Sequence, residues 1–355
     1  MKTTSLLFIS ILLLFGCQQT STKPTLEWKE IAPLPFPIAN NAVAASDQNL
    51  FTFLGIESDK DYKAVSARAA MYSKASSEWI EIVGLPDNVG RLASTAQVVN
   101  NEIYIFGGYT VAEDGSEKST PEVFKLSTHE SPYTVVSEMP VPVDDAVSLV
   151  YNSRYIYLIS GWHDTDNVSN VQVYDTQENT WAEATPYIGS PVFGHTGGIV
   201  GNTMIIMDGV KVVPPENEGE RRSFQMAIET IKGEINPDDP TQITWTVLPN
   251  HIGKPRYRAG AIGIESPRPM IVFAGGSDNP YNYNGIGYNG EPSQPIAEVI
   301  AYDLAKETWI ELGVHPEPTM DHRGIVAVGQ DYYLIGGMLR DQEVTDQVFT
   351  FSINY

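Results

Sequence analysis

The sequence predicts an all-β fold, a six-bladed propeller, and three observations carry that expectation. Six times a run of small residues leads into a short apolar strand that ends in a small pair. These pairs are Leu54-Gly55, Gly107-Gly108, Ser160-Gly161, Asp208-Gly209, Gly275-Gly276 and Gly336-Gly337. A strand bearing tyrosine or phenylalanine follows. In most units a tryptophan strand comes next, at Trp79, Trp181, Trp245 and Trp309, with Tyr133-Thr134-Val135 standing in for it in the second unit. A recurrence of about fifty residues, with four strands per unit, suits radial repetition around a channel better than a packed sandwich.

Period-two alternation gives each unit four strands, a to d. Blade 1 covers 40–86, with strands near 42–46, 50–54, 67–73 and 79–83. Blade 2 covers 91–140, and its second strand, Glu102-Ile-Tyr-Ile-Phe106, alternates most clearly. Blades 3, 4 and 5 cover 144–186, 193–249 and 256–316. Blade 6, at 321–353, has only three strands. Its fourth lies at the other end of the chain, where the segment from Leu26 to Pro35 has the same tryptophan-to-Leu-Pro shape as Trp79 to Pro86. Pairing of this N-terminal strand into the last blade closes the ring and leaves no open edge.

Residues 1–16 read as a lipoprotein signal peptide, 17–25 as a lipidated tether and 26–355 as the propeller. Lys2 supplies the positive start, and the apolar stretch from Leu6 to Phe15 is too short to span a bilayer, which needs about 20 residues. Leu14-Phe15-Gly16-Cys17 has the lipobox pattern, and Cys17 is the only cysteine, so it is the expected site of lipidation. Gln18 after that cysteine favours the outer membrane, so the expected location is a periplasmic lipoprotein. The lipid is then its only membrane contact. A formal charge of −22 repels nucleic acid at long range, so no nucleic-acid partner is expected. With the one cysteine committed to lipid, disulfides, thiolate chemistry and a cysteine–tyrosine radical cofactor are excluded. The histidines show no ligand spacing, so no metal is expected.

The b–c loops and the d–a links share one face, and residues at the start of strand a line the channel mouth there. Counting back equally from each small pair aligns Asn41, Ser94, Val147, His195 and Arg323, with Arg258 near them. Arg91, Arg221, Arg222, Arg256, Arg258 and Arg323 map to this face, a collection suited either to holding a carboxylate or to bridging with Glu216, Glu218, Glu220 and Asp321. The blade 5 loop, 277–295, alternates Tyr281, Tyr283 and Tyr288 with asparagines, which suits stacking on sugar rings, and Trp162 and Tyr109 extend that wall.

The Gly-Gly pairs, Val173-Tyr174-Asp175, Ala301-Tyr302-Asp303, Thr180-Trp181 and Thr308-Trp309 resemble Kelch repeats, over essentially all of residues 26–355. Phe273-Ala-Gly-Gly276 with its long Tyr/Asn/Gly loop, and a charged blade 4 loop, resemble the periplasmic N-acetylneuraminate epimerase/mutarotase family. That resemblance implies interconversion of the anomers of an acidic sugar without a cofactor. One group takes the anomeric hydroxyl proton, another protonates the ring oxygen, and an arginine holds the carboxylate. Arg222 matches the family arginine. The family glutamate has no counterpart after Gly209, where Val210-Lys211 stand, so Glu218, Glu220, His195 and Asp208 are the other catalytic candidates. Arg91, Arg256, Arg258, Arg323, Trp162, Tyr281 and Tyr283 are candidates for substrate binding. Two alternatives stay open: a glycan- or protein-binding module without turnover, and a lyase acting on an acidic polysaccharide. The sequence leaves the oligomeric state open.

Overall fold

A computed structural model describes residues 24–127, 132–217 and 219–355. Six four-stranded antiparallel sheets form the blades of a propeller. Blade 1 consists of Ala42–Ala45, Asn49–Ile56, Val65–Ser73 and Glu78–Ile82, close to the sequence expectation. The last blade takes Val326–Val328, Asp331–Ile335 and Val348–Asn354 from one end of the chain and Thr25–Glu30 from the other. Thr25 pairs with Asn354 and Glu30 with Phe349, so the N-terminal strand closes the ring as expected. Cys17 and its lipobox lie outside the described residues.

Burial follows the repeat. The second strand of each blade is apolar on both faces, as in Tyr155–Ile159 and Met270–Ala274, because each blade packs on two neighbours. Six apolar clusters fill the interfaces between adjacent blades. The late tryptophans bind outward across those interfaces. Trp79 Nε1 donates to Ala32 O at 3.0 Å, Trp181 Nε1 to Ser137 Oγ at 2.9 Å, and Trp245 Nε1 to Thr185 O at 3.1 Å. In blade 2 the hydroxyl of Tyr133 makes the same reach, to Val83 O at 2.8 Å. An indole or phenol at this position satisfies both an apolar wall and the neighbour's free backbone acceptor.

The inner ends of the blades are joined by a closed ring of hydrogen bonds. After each outermost bridge between link and strand b comes one residue of positive φ: Asn40, Ala93, Asp145, Gly194, Arg258 and Asp321, between 51° and 68°. Asn40 N donates to Asp321 O at 2.9 Å, and Ala93 N to Asn40 Oδ1 at 2.6 Å. Asp145 N donates to Ala93 O, Gly194 N to Asp145 O, Arg258 N to Gly194 O and His322 N to Arg258 O, at 2.8–3.1 Å. Left-handed backbone at non-glycine residues costs about 1–3 kcal/mol each and persists only where surroundings over-determine it. Here the ring does so.

The small pairs are needed for the same closure. At Gly55, φ is +109° and a Cβ would stand 2.4 Å from Ala39 O, while its N–H donates to Arg91 O at 2.9 Å. Gly55→Ala is expected to cost about 1–3 kcal/mol, read as a lower urea midpoint. An unchanged midpoint would mean that the bridge at Ala39 gives way freely.

Candidate functional site

Above the ring, on the face of the b–c loops, one apolar cluster caps the channel. The link residues that bridge to strand b supply it: Ala39, Leu92, Phe193, Tyr257 and Met320. At the sixth equivalent position, in blade 3, stands Asp144. This single acid breaks an otherwise apolar ring, and the cavity opens beside it.

Three b–c loops extend into hairpins that the sequence did not announce as strands: Tyr109–Val111 with Glu117–Ser119, Trp162–His163 with Asp166–Asn167, and Val210–Val213 with Ser223–Met226. The blade 5 loop folds over the last of these, and Tyr288 stacks on Phe224 with ring centroids 4.2 Å apart and planes at 26°. Together they enclose a cavity of about 120 Å³, walled by Trp162, Phe193, Phe224 and Tyr288 and carrying Glu117, Asp144, Asp145, Arg222 and Arg258.

Its carboxyls are shifted in different directions. Asp144 is buried, and its pKa is pushed well above the carboxylate range by burial and by Asp145 beside it. Ser119 Oγ donates to Asp144 Oδ2 at 2.6 Å while accepting from Asp164 N at 3.1 Å, so the carboxyl proton belongs on Oδ1. Burial also raises Asp145, but Arg258 and Arg323 outweigh it and hold that carboxyl below its usual range. Two adjacent carboxyls are thus shifted in opposite directions, Asp144 favouring its proton and Asp145 committed to the two arginines. Glu117 is raised by burial of its carboxyl and by Asp145, against Arg258. Because that residue is otherwise exposed, its shift weighs less than that of Asp144.

Arg258 lines the floor of this cavity, and Arg323, which lines the channel beneath, shares its carboxylate partner Asp145. Arg258 donates from Nε to Asp145 Oδ1 at 3.0 Å and from Nη1 to Asp321 Oδ1 at 3.2 Å. Arg323 pairs with Asp145 and donates to Ala146 O at 3.0 Å. Asp321 is raised by burial despite Arg258. This buried network separates the upper cavity from the central channel, a space of about 310 Å³ lined mainly by alanine, valine, glycine and isoleucine rather than by a polar ring.

The sequence-derived candidates therefore divide. Arg222 and Trp162 line the cavity, with the guanidinium 4.9 Å above the indole centroid and bonded to Thr165 O. Among the described residues Arg222 forms no ion pair. Arg258 is present, but as a spent charge. His195 lies below the plug and lines the channel; its Nε2 meets Ile159 O at 2.9 Å, and burial lowers its pKa to about 4. Arg91 turns away to Asp87, with Nη2 to Oδ2 at 2.8 Å, and Arg256 is buried against backbone carbonyls. Tyr281 is packed edge-on against Tyr257, and Tyr283 lies against the cap. Glu220 stands exposed at the hairpin tip, bonded to Asn217, and Glu218 is outside the described residues. The sequence alignment of strand starts slips in two blades. Counted from the link bridges, the equivalent of His195 is Ala146 in blade 3, not Val147, because the turn at 152–154 has three residues, and His322 in blade 6, not Arg323, because one extra residue follows the link there. Among the described residues no cluster of three or more metal-ligating side chains occurs.

Comparison with known proteins agrees with this architecture. A Kelch motif matches residues 90–131. Among curated relatives, the Kelch-like protein terF of Aspergillus terreus is 25% identical over 55% of this chain and 42% of its own. Human Kelch-like protein 15 is 26% identical over 72% of this chain and 40% of its own. The chain thus spans less than half the length of these relatives. A solved structure, titled "Structure of YjhT", superposes with a TM-score of 0.70 over 92% of this chain and 99% of its own, at 13% identity. Repeat, strand order and neighbour agree: the fold is a six-bladed Kelch β-propeller.

Proposed function

We propose that the cavity beside Asp144 binds a small acidic sugar and interconverts its anomers. The observation that carries this reading is buried Asp144, raised in pKa and held by Ser119, on the wall of a cavity that also holds Glu117 and Arg222. Arg222 takes the sugar carboxylate, and Trp162, Phe224 and Tyr288 supply apolar faces for the ring. The Glu117 carboxylate accepts the anomeric hydroxyl proton, the ring carbon–oxygen bond breaks, and Asp144 delivers its Oδ1 proton to the ring oxygen. Closure on the other face of the carbonyl returns both protons, so no cofactor and no net change of charge is involved. The resemblance to the epimerase/mutarotase family supports the substrate class, with Asp144 and Glu117 in place of the missing family glutamate.

Exchange NMR on N-acetylneuraminate and on free uronic acids tests the proposal. The protein is expected to accelerate α/β exchange. Arg222→Ala is expected to raise KM about tenfold or more, the loss of a charge-assisted contact, with a smaller change in kcat. Saturable sugar binding with no change in exchange would sink the enzymatic reading and leave a binding module.

A further inference from the structure

The largest of these cavities, about 450 Å³, lies away from that site, on the outer flank of blade 5. It exists because the outer strand of the blade, Thr308–Thr319, leaves its ladder: Ile296 faces Thr319 and Glu298 faces Val314, so a step of two residues opposes a step of five. Pro316 and Pro318 in that stretch have no N–H to give the ladder. His315 is drawn away to pack on Trp28 and Phe349, with centroids 4.5 and 4.7 Å distant. The walls left behind are mainly apolar, with Ile252, Ile296, Leu312 and Val314, and carry Lys254, Glu298 and Glu311 among them; Val314 at the rim is 60% exposed.

Against these walls lies Arg256, 1% exposed. Its Nη1 donates to Gly275 O at 2.9 Å and to Glu298 O at 2.8 Å, and its Nε has no partner. Arg91, Arg258 and Arg323, the other buried guanidiniums on this face, each hold a carboxylate, whereas Arg256 holds none among the described residues. The nearest acids do not neutralise it by contact: Asp208 is taken up by Arg256 N and His251 Nε2, both at 2.8 Å, and Glu298 meets it only through its backbone. Burial lowers the pKa of Arg256 to about 10, which leaves it cationic at neutral pH. A desolvated cation without a counter-ion is costly, and a ligand that supplies the anion recovers that cost.

We propose that this groove binds a long-chain carboxylate, its head on the Arg256 guanidinium and its alkyl chain along Ile296, Leu312 and Val314. The site is independent of the sugar cavity and of any turnover there.

Calorimetric titration of the full chain with dodecanoate, dodecanol and dodecyltrimethylammonium, each below its micelle concentration, tests it. Dodecanoate is expected to bind one to one, about tenfold or more tighter than dodecanol, with no binding of the ammonium. Arg256→Met is expected to erase the preference for the carboxylate while keeping dodecanol binding. Val314→Asp, at an exposed rim position that the fold does not need, is expected to weaken dodecanoate about tenfold by placing a like charge beside the groove. Equal affinities for acid and alcohol, absence of binding, or insensitivity to Val314→Asp would overturn the proposal. So would a dimer that dodecanoate does not dissociate, since the groove would then belong to a second copy.

Discussion

Replacement of Arg258 by methionine is expected to destabilise the propeller by about 3–5 kcal/mol, the range for removing one partner of a buried ion pair. Arg258 is shared between Asp145 and Asp321, all three being 2% exposed or less. Without it Asp145 keeps Arg323, but Asp321 loses its one ion pair and retains neutral neighbours, the Asn40 amide, Nδ2 to Oδ1 at 2.9 Å, and the Tyr281 phenol. The residue also contributes its own N–H and carbonyl to the inner ring. Methionine keeps much of the packing against Tyr257 and Tyr281, so the loss reports charge rather than volume. Urea unfolding with an unchanged slope and a lower midpoint is the expected result. A neutral outcome would mean that water or a shifted Arg323 compensates the two carboxylates, and the view of the plug as a closed network would fail.

Asp144→Asn is expected to lower anomer exchange about 10²–10⁴-fold, the usual contribution of a positioned general acid, while the protein stays folded. Asparagine is isosteric with the protonated carboxyl, and its amide oxygen still accepts from Ser119. Its pH signature separates this role from a structural one. Because the folded pKa of Asp144 is raised, the native state binds more protons than the unfolded chain above the ordinary carboxylate value of about 4. Stability from this residue is therefore complete below that pH and is lost progressively as pH rises towards the elevated folded value. The amide side chain does not titrate, so the variant is expected to be no less stable than the parent at neutral pH and to lose that part of the pH slope. Unchanged exchange in the variant would remove Asp144 from the chemistry.

The propeller was readable because its signals are local and repeated. Each small pair meets a link backbone, each late aromatic reaches one blade back, and the tryptophan of Leu26-Glu-Trp28 declares the closing strand by the same rule. The site was harder to read because its partners are remote in sequence. Arg258 meets Asp145 across 113 residues and Arg323 meets it across 178, so grouping arginines by face could not show that two of them were already neutralised. Burial and ion pairing decide an arginine's role, and neither follows from its place in a loop. A signal for Asp144 was nevertheless present. Aligned from the strand-end pairs, five links carry Ala39, Leu92, Phe193, Tyr257 or Met320 at one position, and the sixth carries an acid. Equal counting obscured it, since blades 3, 5 and 6 each carry extra residues between the link and the strand-end pair.

The hoop of amides at the axis has a mechanical corollary. Six separate stretches of chain each supply one link, so no single blade can swing outward without parting the hoop on both of its sides. Breathing between two blades is thereby coupled to breathing everywhere, and the molecule opens as a unit or stays shut. Ligands held near the rim of such a body meet a rigid wall, and adaptation falls to the hairpins and the tyrosine-rich loop that overhang it.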